Sequence, residues 1–182
     1  MATRLFEYGD IKTVPKQGEW LPGVFATAHG VNLNKAGFKP KSLEIEYGEI
    51  VSLTQNGIGD NAGYNIARVA DSSTLFGVIV RTTDGQISME DDWITRPRSK
   101  TAVSVYPLAN VNNFMIAVPV RSGQTPTIGN DVYVSYASNW QGSVQTSPGS
   151  TDGIKLTGWV FASTKFKPTK GDGEAVIIQR VL

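Results

Sequence analysis

From residue 43 onward the apolar positions fall in short runs with the two-residue period, or the unbroken β-branched stretch, of β-strands. Leu43, Ile45 and Tyr47 alternate with Glu44 and Glu46. Ile50-Val51-Ser52-Leu53 follows Gly48, and Ile66-Ala67-Arg68-Val69 stands alone between polar segments. Phe76 to Val80, Phe114 to Val120, Val132 to Tyr136, Trp159 to Phe161 and Ala175 to Ile178 complete the series. The separators are turn formers: residues 56–63, Asp71-Ser72-Ser73 and Ser122-Gly123. Short strands about every ten residues predict an all-β sandwich or barrel, jelly-roll-like in its spacing. No amphipathic stretch of 12 or more residues predicts a helix, and residues 71–75 offer one helical turn at most.

The first 42 residues have another texture. Pro15, Pro22 and Pro40 alternate with Gly9, Gly18, Gly23, Gly30 and Gly37, and no period is sustained. This predicts an extended N-terminal arm over residues 1–42, ahead of a β domain over residues 43–182. Trp20, Leu21 and Phe25 in the arm need cover. They either cap the chain's own core or dock on a neighbouring subunit.

The β domain contains a weak internal repeat. Gly48-Glu49-Ile50-Val51-Ser52-Leu53 aligns with Gly129-Asn130-Asp131-Val132-Tyr133-Val134, and Gly77-Val78-Ile79-Val80 with Gly158-Trp159-Val160-Phe161. Both pairs are 81 residues apart. Ala117-Val118-Pro119-Val120 and Ala175-Val176-Ile177-Ile178 follow as matching closing strands. The pattern predicts two copies of one β unit, each opened by a glycine that turns the chain into a buried strand. The first copy carries a loop insertion over about residues 84–111, with Glu90, Asp91 and Asp92, then Trp93, then Arg96 and Arg98. Three adjacent acids cannot point one way on a strand, and the EF-hand spacing is missing. The acids read as a solvated loop, and Trp93 with the two arginines as a contact for a partner.

Composition narrows function more than fold. The 182 residues, 19.6 kDa, make one domain or two small ones and can bury roughly 70% of the unfolded surface. With no cysteine, thiolate metal sites, disulfides and a cysteine nucleophile are excluded. The one histidine, His29, lies in the arm beside no nucleophile and reads as structural. No G-x-S-x-G elbow and no phosphate-binding glycine motif before a helix occurs. The chain therefore reads as no enzyme, with no cofactor and no metal. Net charge of +1 argues against a nucleic-acid partner, and no apolar run approaches the roughly 20 residues of a membrane span. The first ten residues lack the apolar core of a signal peptide, so the chain reads as unexported. Tyr133, Tyr136, Trp140 and Trp159 are candidates for a sugar-binding groove, although Tyr133 next to Val134 fits a half-buried strand equally well.

The wording of the repeat resembles tailed-bacteriophage capsid cement, or decoration, proteins. The residues concerned are Gly48 to Leu53, Ile66-Ala67-Arg68-Val69-Ala70-Asp71, Phe76 to Val80, and their second-copy matches through Gly173 to Val181. The resemblance covers about residues 43–182 and departs from the family in the insertion and the long arm. It implies a structural virion protein, made in the bacterial host cytoplasm, on the capsid exterior. There it would cement neighbouring major capsid proteins and stabilise the expanded head as a homo-oligomer, a dimer or a trimer. It carries over no catalytic residue. The expected contacts are Trp20, Leu21 and Phe25 on the arm and Trp93, Arg96 and Arg98 on the insertion. A phage tail-tube or baseplate subunit and a carbohydrate-binding β-sandwich module are the alternatives.

Overall fold

The computed structural model describes residues 45–53, 66–71, 74–80, 105–109, 115–149, 152–168 and 173–181. Among these residues every regular element is a strand. Strands β1 (Ile50–Leu53), β2 (Ile66–Arg68), β3 (Leu75–Ile79) and β4 (Val105–Pro107) form an antiparallel sheet in the order β2-β1-β3-β4. Strands β5 (Met115–Val120), β6 (Asp131–Ser135), β7 (Val144–Gln145), β8 (Gly153–Phe161) and β9 (Glu174–Arg180) close into a barrel ordered β5-β7-β6-β8-β9. The barrel is sealed by six antiparallel partners between β5 and β9, and only β5 and β7 run parallel among its pairs.

The repeat is present in the pairing. β3 lies between β1 and β4 as β8 lies between β6 and β9. Each unit opens on a glycine at positive φ, Gly48 at 83° and Gly129 at 87°, a conformation that costs an L-residue a Cβ clash. Each opening is locked by two reciprocal backbone bonds. Gly48 N–H donates to Ile79 O (2.8 Å) and Ile79 N–H to Glu49 O (3.0 Å). In the second unit Gly129 N–H donates to Phe161 O (2.8 Å) and Phe161 N–H to Asn130 O (3.0 Å).

Two details differ from the expected repeat. First, Ile79 and Phe161 are the equivalent residues, so Gly77 and Gly158 stand one residue out of register. Gly77 lies where a Cβ would meet Val105 Cγ1 at 2.4 Å, whereas Gly158 turns the chain at φ 80° within the irregular pairing of β8 with β6. Second, the strands beginning Ala117 and Ala175 are not equivalents but neighbours, with Ala117 opposite Ile177 and Pro119 opposite Ala175. The third strand of the first unit is β4, within the segment read as a loop insertion. Residues 45–49 are not a strand either. Glu49 N–H donates to Glu46 O (3.2 Å) in a turn, though Ile45 and Tyr47 are buried as their alternation requires. Leu75 begins β3 rather than ending a helical turn.

The four-stranded sheet is apolar on both faces, as a doubly covered sheet must be. Ile50, Val78, Val80, Tyr106 and Leu108 join the main core, with Val132, Val134, Trp159, Phe161 and Val176 of the barrel. The intervening Val51, Ile79 and Val105 face the other way, with Ile45, Tyr47 and Ile66. The equivalents explain the arrangement. Val51 matches Val132, inside the barrel. Ile50, on the opposite face, matches Asp131, which is exposed and paired with Lys155 at 2.6 Å. The same strand position is thus apolar where the strand docks on the other unit and charged where it meets water.

Candidate interaction surface

The seam between sheet and barrel is pinned by the turn after β6. Gly142 O accepts from Ile50 N–H (2.9 Å), and Gln141 Nε2 donates to Val69 O (3.0 Å). Gly142 has φ 81°, and its α-carbon lies so close to β1 that a Cβ would meet Ile50 O at 2.6 Å. Glu49, beside this contact, is 5% exposed. Its carboxylate accepts from Arg68 Nη2 (2.8 Å) and Nε (3.4 Å) and from Glu46 N–H (3.1 Å).

Burial raises the Glu49 pKa from 4.5 to about 7 despite the opposing pull of Arg68. The folded chain therefore holds a proton that the unfolded chain has lost between those values. Stability from this group is fully present below about pH 4.5 and is lost as pH rises through about 7. The loss amounts to about 3 kcal/mol at most. Urea midpoints at pH 5 and pH 8 should show a fall for the wild type that Glu49→Gln abolishes. Equal pH slopes for both proteins would remove the assignment.

On the other side of the seam an open groove of about 330 Å³ lies between the units. Leu75 of β3 and Leu108 beyond β4 form one wall, and Ile154, Thr157 and Trp159 of β8 with Arg180 of β9 form the other. Arg180 Nη1 donates to Leu108 O and so ties the walls together. Its Nε is buried without a hydrogen-bond partner, and no carboxylate pairs with this guanidinium among the described residues. At the barrel rim a second arginine is satisfied. Arg121 Nη1 donates to Gln145 Oε1 (2.9 Å) and pairs with Asp152; the hydrogen bond from Arg121, then that from Gln145 Nε2, holds the Asp152 carboxyl below its ordinary pKa. One further apolar group stands out: Ile128 is 62% exposed, whereas Tyr47, its counterpart one residue before the opening glycine, is 9% exposed.

The residues selected from sequence as contacts, Trp20, Leu21, Phe25, Trp93, Arg96 and Arg98, lie outside the described residues, as do His29, Glu90, Asp91 and Asp92. Of the four aromatics considered for a sugar site, Trp159 is 2% exposed and belongs to the core. Tyr133, Tyr136 and Trp140 are half-buried, and Tyr136 packs on the same core. A stacking platform built on Trp159 is therefore excluded by its burial. Among the described residues no cluster of three or more potential metal ligands occurs. The groove itself was not found from sequence, because its lining comes from three strands and the turn after β4, whose register no local pattern states.

Two β units thus share an apolar core and a groove whose Arg180 has no carboxylate partner among the described residues. The family model of the phage structural cement protein (E217 gp24/Pam3 gp6) matches residues 12–181, and the chain belongs to this family of structural virion proteins. Among solved structures, a chain of "The capsid of Myoviridae Phage XM1" is similar in fold at 18% identity. Its TM-score is 0.59, over 94% of this chain and 96% of that one. Among curated proteins none matches.

Proposed function

We propose that this protein binds the outer surface of a phage capsid and bridges neighbouring major capsid proteins, so that the expanded head resists internal pressure. The observation that carries this reading is the family match, which spans both β units, most of the arm and the whole insertion. The chain acts by interface burial and not as an enzyme, and it attaches as a homo-oligomer without nucleic acid or membrane. Individually weak contacts suffice on a shell, because symmetric repetition raises the effective concentration of each copy. The arm, through Trp20, Leu21 and Phe25, and the insertion, through Trp93, Arg96 and Arg98, supply the contacts outside the β core.

The test is co-sedimentation of the purified protein with expanded heads that lack it, followed by cryo-electron microscopy. Regular density on the outer surface, crossing the boundaries of capsid subunits, is the expected result. Absence of binding, with assembly into rings or tubes, would instead assign the chain to the tail. Deleting residues 2–25 should leave a folded β domain that no longer sediments with heads. If the deletion unfolds the domain, the three arm anchors are core residues and not contacts.

A further inference from the structure

The groove between the two units carries a charge that no carboxylate compensates among the described residues. Arg180 lies on β9 with its Nε buried and unpaired, and a backbone carbonyl, Leu108 O, is the acceptor it reaches. Arg180 is half-buried, so burying its Nε without a partner is costly, and its planar fork is matched best by a bidentate carboxylate. Around it Leu75, Leu108 and Ile154 supply apolar walls in a groove of mixed polarity, with the exposed Thr157 at the opening. The second cation there, Lys155, adds to the positive field although Asp131 already pairs with it. No Asp or Glu lines the groove among the described residues. We propose that the groove receives an acidic side chain flanked by an apolar residue from the major capsid protein, the carboxylate on Arg180 and the apolar neighbour against Leu75 and Ile154.

This inference rests on the capsid-binding reading and adds the chemistry of one contact. The complementarity is specific. An apolar segment alone would leave Arg180 uncompensated, and a basic one would be repelled by Arg180 and Lys155. The occupant would also touch β3 and β8 together, so attachment would brace the seam between the units.

Three full-length variants test it on expanded heads, each first checked for an unchanged fold by circular dichroism. Arg180→Gln removes the charge. Thr157→Glu places a competing carboxylate at the opening while leaving the core alone. Thr125→Glu makes the same exchange at an exposed position outside the groove. Arg180→Gln and Thr157→Glu should weaken head binding by about ten- to a hundredfold, the range of a charged hydrogen bond, with Thr125→Glu unchanged. If Arg180→Gln fails to fold, Thr157→Glu against Thr125→Glu decides alone. Wild-type binding with an unaffected Thr157→Glu overturns the proposal. So does intact head binding by Thr157→Glu with lost self-association, which would make the occupant a second copy of this chain. A wild type that binds no heads would overturn the capsid-binding reading itself.

Discussion

Replacing Gly142 with alanine is expected to destabilise the protein by about 3 kcal/mol or more, the sum of a left-handed backbone cost and a clash. Gly142 stands at φ 81°, and the added methyl carbon would lie 2.6 Å from Ile50 O and 3.1 Å from Glu49 Cβ. The first of these is backbone and cannot swing aside. Relief would have to break the hydrogen bond from Ile50 N–H to Gly142 O, the contact that holds β1 against the barrel. Gly129→Ala is the control. Its φ is 87°, but nothing lies within 4 Å of the new atom, so it should cost only about 1–2 kcal/mol. Urea unfolding of the two variants separates conformation from collision. Equal losses would mean that the seam gives way at no cost.

Trp159→Ala should be the most damaging single truncation in the core, costing about 3–5 kcal/mol. The side chain is 2% exposed and packs among Val132, Leu156, Phe161 and Ile178 where the barrel meets the first sheet. Removing the indole leaves a void between two units, neither of which can close it without moving a paired strand. A urea midpoint shift with loss of the near-ultraviolet aromatic signal is the expected result. A sugar-binding Trp would behave oppositely, with an intact fold and lost ligand affinity.

How far the fold was legible depended on how local each signal was. β1, β3, β6 and β9 are runs of β-branched residues between turn formers, and a run of that kind needs no partner to be recognised. β4 is three residues ending in Pro107, and β7 is two residues, one of them the buried Gln145; neither is long enough to show a period. The first half of β8 does alternate, Ile154 and Leu156 against Lys155 and Thr157, but Gly153 and Gly158 at its bounds imitate a turn. The repeat was visible at its opening glycines, where the backbone demands one residue type. It failed at the closing strands, because Ala117 and Ala175 look alike as members of adjacent strands in one sheet. The groove was out of reach for a further reason. Arg180 ends the run Ala175 to Gln179 like any polar residue at a strand's exit, and only the fold brings Leu108 O to its Nη1 and buries its Nε.

The apolar face that the first sheet turns to the barrel has a consequence for how the protein is made. Ile50, Val69, Val78, Val80, Tyr106 and Leu108 are all synthesised before the barrel residues that cover them, which end at Ile178. Translation proceeds at roughly 5–20 residues per second, so this surface waits several seconds on the ribosome for its cover. β5, which follows it, cannot shorten the wait, because its antiparallel partner β9 is the last of the described strands to emerge. Synthesis through β9, rather than growth of the first half, is thus the event that lets both units reach their native state.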